Sequence, residues 1–205
     1  MRPVLALLAA ALIGALPILP APARASDPAE VAAIKRAVFD APDLPVMGHA
    51  QGDAVLVEFS DYNCGFCRKT APEVTALIES DPALKVVVHE IPIFGEGSRE
   101  AAKVALAVRN QGRYPEFHRK MMAMRGKAAK ASALRVAREM GLDMARIERD
   151  MESPEITARI ETSLALADDI GLVGTPSFVA GDRAIFGYLS RADLAELVTE
   201  ARGRP

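Results

Sequence analysis

Hydrophobic and polar positions follow two different periods along this chain, and the change of period predicts its elements. Short apolar, β-branched runs at 54–59 and 84–91 predict strands that are buried on both faces. Between them, Val74, Leu77 and Ile78 recur at helical spacing and predict a helix. A strand, a helix and a second strand in this order predict a parallel βαβ unit.

The middle of the chain, residues 96–170, is helical in pattern throughout. Ser98, Ser132, Asp143 and Ser153 each stand before apolar residues at helical spacing, where a short polar side chain can cap a helix. We therefore expect about five helices in this block.

Strand character returns near the C-terminus. The segments 177–180 and 183–186 flank the tight-turn pair Gly181-Asp182 and predict an antiparallel hairpin. Ser190 then predicts the start of a last helix. The order of elements indicates a small α/β sheet into which the helical block is inserted.

The segment before the first long strand predicts one more helix. Asp27 and Pro28 fit the N-cap and the first position of a helix, and Val31, Ile34 and Val38 fall on one of its faces. So narrow a stripe favours a helix that packs on its own domain over an oligomerisation helix, because so short a helix is marginal alone.

The first 25 residues have the pattern of a secretory signal peptide. The basic Arg2 precedes an apolar run at 4–16, and Ala23-Arg24-Ala25 fits a small-x-small cleavage site. Pro17 and Pro20 interrupt the apolar run before it reaches the ~20 residues that a membrane-spanning helix needs. The sequence therefore predicts a cleaved signal and a periplasmic protein, in preference to an uncleaved anchor.

Composition and charge narrow the function classes. The chain carries 25 basic and 27 acidic residues, a formal net charge of −2, and no Lys/Arg cluster, so nucleic acid is not expected as a partner. A hydrophobic fraction of 50% can supply a core without a disulfide framework. The chain has 2 cysteines, so all its thiol chemistry lies in one pair.

That pair, Cys64 and Cys67, lies where the first buried strand turns into a helix. Unpaired N–H groups and the positive end of the helix dipole favour a thiolate at Cys64. The cationic neighbours Arg68 and Lys69 should reinforce this, so we expect Cys64 to have the lower pKa of the two thiols. A second cysteine within the same turn can close a disulfide against it, which indicates a redox site.

Other uses of a Cys-x-x-Cys pair are disfavoured. Zinc takes four ligands, and His49, His89 and His118 are scattered without ligand spacing, as surface or satisfied residues would be. A purely structural disulfide would close so small a loop that it removes little entropy from the unfolded chain. Copper binding is an alternative of a different class, because thioethers suit Cu(I). Helical spacing favours a core role for the methionines in question, at positions 121, 122, 124, 140, 144 and 151.

Two motifs flank the helical block. Glu58-Phe59-Ser60-Asp61-Tyr62-Asn63-Cys64-Gly65-Phe66-Cys67 ends the first strand, and Gly174-Thr175-Pro176-Ser177-Phe178 opens the hairpin. With the helical insertion between them, they make the chain similar to the DsbA-type branch of the thioredoxin superfamily, and within it to the Com1-like and ScsC-like exported proteins. The resemblance implies a thioredoxin-like α/β fold with an inserted α-helical subdomain. The expected units are a signal peptide (1–25), an N-terminal helix and linker (26–43), a thioredoxin-like domain (44–95 and 171–205) and the inserted subdomain (96–170).

The resemblance also implies roles for the residues of these motifs. Cys64, exposed at the loop, would attack a substrate sulfur, and Cys67 would resolve the mixed disulfide. Neither face of the strand that carries Glu58 is obviously exposed to solvent, so burial would raise the pKa of this residue and let it accept a proton from Cys67. The alternative is a solvated carboxylate at the strand end. Thr175 and Pro176 would form a cis-proline loop that exposes the Thr175 backbone for β-type pairing with a substrate.

The dipeptide between the cysteines bears on the direction of electron flow. Gly65 and Phe66 supply no histidine, so we expect a potential between about −270 and −120 mV, the values of thioredoxin and DsbA. The expected protein is an exported dithiol oxidase that needs no cofactor or metal, with disulfide isomerase or reductase as the alternative. Its expected partners are unfolded or partly folded exported proteins and a membrane redox partner. The narrow N-terminal stripe favours a monomer.

Overall fold

The computed structural model describes residues 27–203 of the chain. The elements in chain order are α1 (Pro28–Phe39), β1 (Val46–Gly48), β2 (Ala54–Ser60), α2 (Gly65–Ser80), β3 (Leu84–Glu90), α3 (Glu96–Arg109), α4 (Tyr114–Ala123), α5 (Lys130–Glu139), α6 (Met144–Asp150), α7 (Pro154–Asp169), β4 (Ser177–Ala180), β5 (Arg183–Phe186) and α8 (Arg191–Arg202). The predicted signal peptide lies outside the described residues. Within them, no helix combines the length and apolar character that crossing a membrane requires.

The five strands form a mixed sheet in the order β1-β3-β2-β4-β5. β2 and β3 run parallel, as the βαβ pattern predicts, with Glu58 beside Val88 and Ser60 beside Glu90. β4 pairs antiparallel with both β2 and β5, so the predicted hairpin is confirmed. The carboxyl end of β2 therefore lies in the middle of the sheet, where loops in α/β folds commonly carry function.

β2 separates two apolar layers because it is buried on both faces, as its continuous apolar run predicts. On one face, Leu56 joins a cluster that includes residues of α2, α3, α4 and α8. On the other face, Val57 and Phe59 pack with residues of α1 and α7. Side chains alternate along a strand, so Glu58 and Ser60 share the face of Leu56.

The inserted helices are built around α3, which packs against α4, α5, α6 and α7. α3 buries Ala101, Val104, Ala105 and Val108, whose small or β-branched side chains let neighbouring helices approach closely. These residues belong to the same apolar cluster as Leu56 on the sheet. The insertion therefore shares its core with one face of the sheet.

Two of the predicted helix caps are wrong by three residues. The N-cap of α3 is Gly95 rather than Ser98, because Gly95 adopts a φ of 89° and turns the chain into the helix earlier. α5 begins at Lys130, and the Ser132 hydroxyl accepts a hydrogen bond from the Ala129 N–H at 2.9 Å from inside the first turn. The predicted caps that are confirmed are Asp27, Asp143, Ser153 and Ser190.

α1 packs on its own domain, against α7 and β2. Val38 at its C-terminal end is buried, whereas Val31 near its start is 37% exposed. The interpretation of this helix as a cover for its own sheet is confirmed, and the oligomeric state stays a prediction.

Candidate active site

The two cysteines lie at the start of α2, directly after β2. Cys64 is the N-cap residue of α2, and its N–H donates to the Asp61 carbonyl at 3.1 Å. The Cys67 N–H donates to the Cys64 Sγ at 3.2 Å, and both cysteines are free thiols. The sulfur of Cys64 thus takes the position of a capping oxygen at the positive end of a helix, which favours its ionised form.

The surroundings separate the pKa values of the two thiols. Hydrogen bonding with the Cys67 side chain lowers the pKa of Cys64 to about 6, with help from Thr175 and from the backbone N–H groups of Cys67 and Phe66, and against the effect of burial. Burial, followed by the hydrogen bond with Cys64, raises the pKa of Cys67 far above its ordinary value. Cys64 is therefore the thiolate near neutral pH, in the predicted order, and Cys67 keeps its proton.

The expected exposure of Cys64 at the loop is wrong. The residue is only 2% exposed instead of open at the loop surface, because it lies on the floor of a groove between apolar side chains. The neighbouring cations are also engaged elsewhere. Arg68 donates hydrogen bonds to three backbone carbonyls, and the Lys69 Nζ lies 4.1 Å from the centroid of the Tyr188 ring. Hydrogen bonds are the largest cause that lowers the pKa of Cys64, and reinforcement by the charges of Arg68 and Lys69 stays a prediction.

Glu58 is fully buried on β2, on the face that packs against α2. Neither of its carboxylate oxygens has a hydrogen-bond partner among the described residues, and the same holds for the hydroxyl of Ser60. Burial raises the pKa of Glu58 to about 7; the nearby Ser60 offsets part of this rise and the charge of Cys64 adds to it. The alternative of a solvated carboxylate is therefore wrong. A carboxyl that titrates near neutrality can both hold and release a proton.

The loop before β4 forms one wall of the site. The peptide bond between Thr175 and Pro176 is cis, in agreement with the resemblance. When Cys64 is protonated, its thiol donates to the Thr175 carbonyl oxygen at 3.2 Å, and this contact places the backbone of the loop against the reactive sulfur. Pairing of the Thr175 backbone with a substrate strand stays a prediction.

An apolar groove of about 690 Å³ opens above Cys64. Its rim is formed by large apolar side chains that are about half exposed or more, Phe66, Ile93, Phe94, Val173 and Phe186. Clusters of exposed apolar side chains of this kind mark interaction surfaces. The sequence-based reasoning named only Phe66 among them, because the rim is assembled from four separate segments. Gly65, the first residue of α2, also lines the groove and leaves room beside the sulfur.

Sequence-based reasoning missed the side chains that hold the redox loop. The carboxylate of Asp61 accepts hydrogen bonds from the Asn63 N–H at 2.7 Å, the Ser98 hydroxyl at 2.7 Å and the Phe94 N–H at 3.0 Å. The contact with Asn63 is an Asx turn, whose signal is an aspartate two residues before a loop N–H. The contacts with Phe94 and Ser98 are distant in sequence and leave no local signal.

A second buried carboxyl, that of Glu90, lies near the redox loop. Its Oε1 accepts hydrogen bonds of 2.7 Å from the hydroxyls of Tyr62 and Tyr114, and both hydroxyl oxygens lie 3.1 Å from the Nδ1 of His118. Burial raises the pKa of Glu90 to about 8, although the two tyrosine hydrogen bonds lower it. This cluster was not predicted, because its members come from the loop after β2, from β3 and from α4.

The three histidines were predicted to be exposed or fully hydrogen-bonded, and two of them are. His49 is exposed, and both ring nitrogens of His89 are hydrogen-bonded, to the Ser163 hydroxyl and the Val38 carbonyl. His118 departs from the prediction: it is buried, and its Nε2 has no partner in the described part of the chain. Burial lowers the pKa of His118 to about 3, so the ring is neutral at physiological pH.

The methionines take core positions, as their helical spacing predicts. Three of them are buried: Met121, Met122 and Met151. The other three are partly buried and pack against the same apolar cluster: Met124, Met140 and Met144. Within residues 27–203, no group of three or more His, Cys, Asp or Glu side chains could hold a metal ion.

Comparison with known proteins assigns the fold to a family. The model of the family described as the DSBA-like thioredoxin domain matches residues 55–199. The chain belongs to this family. The match runs from β2 into α8, so the DSBA-like domain includes the redox loop, the inserted helices and the hairpin. The predicted thioredoxin-like fold and family resemblance are confirmed.

Solved structures resemble the DSBA-like domain over most of its length. A thioredoxin-like oxidoreductase from Silicibacter pomeroyi DSS-3 is 46% identical, with a TM-score of 0.80 over 83% of this chain and 99% of that one. A periplasmic thioredoxin-like protein from Salmonella enterica serovar Typhimurium is 27% identical, with a TM-score of 0.74 over 84% of this chain and 97% of that one. The catalytic domain of Proteus mirabilis ScsC shares the fold at 23% identity, with a TM-score of 0.77 over 85% and 97% of the two chains.

Curated relatives match the DSBA-like domain with only part of their own length. The Na(+)/H(+) antiporter NhaA 1 of Salinispora arenicola is 27% identical over 158 residues, which are 76% of this chain and 24% of that protein. The antiporter NhaA of Herminiimonas arsenicoxydans is 30% identical over 174 residues, 81% of this chain and 28% of that protein. The chain thus spans about a quarter of the length of these relatives. Antiport is named for those whole proteins and is not carried over to this chain.

Proposed function

We propose that the chain is an exported thiol–disulfide oxidoreductase that acts mainly as a dithiol oxidase. The observation that carries the proposal is the asymmetric thiol pair, with Cys64 ionised near neutral pH and Cys67 protonated. A thiol with a lowered pKa leaves a mixed disulfide readily, and stabilising the reduced form makes the pair more oxidising. Membership of the DSBA-like family and the similarity to a thioredoxin-like oxidoreductase support the same reaction class.

In the oxidase direction, a substrate thiolate attacks the Cys64 sulfur of the oxidised protein. The bond between Cys64 and Cys67 breaks, and Cys67 leaves with the electron pair and takes up a proton. A second substrate thiolate then attacks the substrate sulfur of the mixed disulfide, and Cys64 leaves as a thiolate. Two electrons pass from the substrate dithiol to the cysteine pair, one substrate proton ends on Cys67, and the other goes to solvent. A redox partner, which we propose to be a membrane protein, must remove the two electrons to renew the disulfide.

Glu58 is the proposed proton donor to Cys67 in this direction and its proton acceptor in the reverse direction. Cys67 has so high a pKa that it needs a proton as it leaves. Glu58 titrates near pH 7, and its charge is felt by Cys67, so it can supply that proton.

The apolar groove above Cys64 supports unfolded or partly folded proteins as substrates. Folded proteins bury most of their large apolar side chains, whereas unfolded segments expose them. The rim side chains Phe66, Phe94 and Phe186 can pack against such a segment while its sulfur reaches Cys64. We propose that the Thr175 backbone pairs with the segment as an added strand.

The proposed location is the periplasm, and the proposed state is a monomer. The signal-peptide pattern at residues 1–25 and the similarity to a periplasmic thioredoxin-like protein support the location. The narrow apolar stripe of α1, which is largely used against α7 and β2, supports the monomer.

The test is oxidation of a reduced two-cysteine peptide by the chain from residue 26, with oxidised glutathione as the electron acceptor. The wild type should accelerate oxidation, and Cys64→Ala should be inactive. Cys67→Ser, which has no internal disulfide to pass on, should instead hold glutathione on Cys64 as a mixed disulfide. Oxidation by Cys64→Ala at the wild-type rate would overturn the assignment.

The direction of electron flow is tested by equilibrating the cysteine pair with glutathione buffers and measuring its reduction potential. We expect a potential between about −270 and −120 mV. Disulfide isomerase is favoured instead if the protein reshuffles a scrambled substrate faster than it oxidises a reduced one.

A further inference from the structure

The residues on both sides of Cys64 are tied to one segment of the helical insertion. This segment is the α4–α5 connection, residues 124–129. Asn63 immediately precedes Cys64, and Arg68 lies one helical turn after it, where its N–H donates to the Cys64 carbonyl at 3.1 Å. Contacts made by these two side chains therefore fix the backbone at both ends of the redox turn.

Asn63 pairs with the backbone of the α4–α5 connection as a strand would. Its Nδ2 donates to the Ala128 carbonyl at 3.0 Å, and the Ala128 N–H donates to its Oδ1 at 2.8 Å. The same Nδ2 lies 2.9 Å from the Ser98 hydroxyl, to which it donates. A Cβ at Gly97 would lie 2.7 Å from the Ala128 carbonyl oxygen, so α3 also presses closely on this point. The connection is thus held between the redox loop and α3.

Arg68 joins the redox loop to the same connection with a single guanidinium group. Its Nε donates to the Tyr62 carbonyl at 2.7 Å, and its Nη1 donates to the carbonyls of Gly126 at 2.8 Å and Met124 at 3.2 Å. A planar guanidinium can direct several N–H groups at fixed angles in this way, whereas a lysine ammonium is a compact point charge on a flexible stem.

We propose that Asn63 and Arg68 are positioning residues for the thiol chemistry of Cys64, and that they act by clamping the redox loop to the α4–α5 connection. The proposal deepens the redox function proposed above. With both ends of the turn fixed, the Cys67 N–H stays aimed at the Cys64 sulfur, 3.2 Å away. Hydrogen bonds weaken steeply as their angle departs from linearity, so a loosened loop should stabilise the thiolate less well.

Titration of the Cys64 thiolate by ultraviolet absorbance tests the clamp against simple charge stabilisation. Arg68→Met removes both the clamp and the charge, and Arg68→Lys removes the clamp but keeps the charge. The clamp predicts that both variants raise the pKa of Cys64 by about 1, a tenfold change in proton affinity. Lys69→Met is the matched control, since this neighbour carries the same charge but its Nζ lies over the Tyr188 ring, and it should leave the pKa unchanged.

The outcomes separate cleanly. A wild-type pKa in Arg68→Lys together with a raised pKa in Arg68→Met would show that charge acts and would overturn the clamp, as would unchanged values in both. If the Arg68 variants do not fold, Asn63→Ala decides, because it opens the clamp from the other side: a raised pKa supports the proposal and an unchanged one overturns it. Cys64 titrates whether or not the chain is an oxidase, so failure of the proposed function would not imitate either result.

Discussion

Glu58 and Glu90 are buried carboxyls on neighbouring strands of the same sheet, yet their surroundings differ. The parallel register places Glu58 beside Val88 and Glu90 beside Ser60, so the two carboxyls lie on one face, with Glu90 nearer the redox loop. Burial raises the pKa of both. Glu58 has no hydrogen-bond partner in residues 27–203, whereas Glu90 accepts from two tyrosine hydroxyls.

A raised pKa alone does not identify a residue that carries protons in the reaction, because the pKa values of both carboxyls are raised. Glu90 is bound into a cluster whose phenols depend on it, and moving its proton would reorganise Tyr62, Tyr114 and His118 together. In the part of the chain that the structure describes, Glu58 has no partner within hydrogen-bond geometry and only Ser60, on its own strand, as a hydroxyl that lowers its pKa, so its proton can move with little rearrangement. We therefore infer that Glu58 serves the chemistry of Cys67 and that Glu90 serves the structure around the loop.

The largest expected effect is on how the free energy of unfolding depends on pH. A carboxyl whose folded pKa is raised stabilises the protein fully below its ordinary pKa of 4.5, and this contribution is lost as the pH rises through about 7 for Glu58 and about 8 for Glu90. Glu58→Gln should remove a loss of about 3 kcal/mol from this window, and Glu90→Gln a loss of about 5 kcal/mol. Urea unfolding from pH 4 to 9 measures it.

The comparison must be made as a difference between each variant and the wild type. Cys64 and His118 have lowered pKa values in the folded protein, so their contributions rise with pH and oppose those of the carboxyls. Subtraction cancels these shared terms. Difference curves that are flat between pH 5 and 8 would contradict the burial of the two carboxyls as ionisable groups.

The second-largest expected effect is on the rate at which Cys67 leaves the disulfide with Cys64 or, in the reverse direction, attacks the mixed disulfide on Cys64. Glu58→Gln should slow this step about a hundredfold at pH 7, because a positioned acid or base contributes 10²–10⁴-fold. Glu90→Gln should change the rate by less than about threefold, because the amide oxygen can still accept from Tyr62 and Tyr114. Stopped-flow measurement of mixed-disulfide resolution tests both, and the wild-type rate should show an inflection near pH 7 that only Glu58→Gln removes. Equal slowing by the two variants would end the distinction between them.

The two carboxyls also show which features of the structure can be predicted from the sequence. The burial of Glu58 could be predicted because it interrupts a continuous apolar run, and its link to the cysteines followed from the motif. Glu90 ends a similar run in β3, but nothing near it in sequence announces Tyr114 or His118. Periodicity and caps are local, so they predicted β2, β3, the hairpin and most helix starts, whereas the short strand β1 was not predicted. Their failures at Ser98 and Ser132 came where glycine geometry or a side chain inside the turn began the helix.

The site also divides into features that have a local signal in the sequence and features that depend on distant segments. The helix start at Cys64 and the order of the two thiol pKa values followed from residues close to one another in sequence, whereas the cis-proline loop followed from the family resemblance. The groove and the contacts of Arg68 depend on segments that only the folded chain brings together. The charge of Arg68 was visible in the sequence and its carbonyl partners were not, so the sequence-based reasoning considered only its charge.

The smallest of these effects is on stability when each carboxyl is replaced by leucine. Glu90→Leu leaves the hydroxyls of Tyr62 and Tyr114 buried without their shared acceptor, which should lower the free energy of unfolding by about 2 kcal/mol. Glu58→Leu removes a buried group that has no hydrogen bond to lose, so it should be neutral or slightly stabilising. Urea unfolding at pH 4 makes the comparison fair, because both carboxyls then hold their protons in the folded wild type and are largely protonated in the unfolded chain as well. Equal destabilisation by the two variants would mean that Glu58 has a structural partner after all, and it would leave the pH profile of Cys67 as the only ground for separating the two residues.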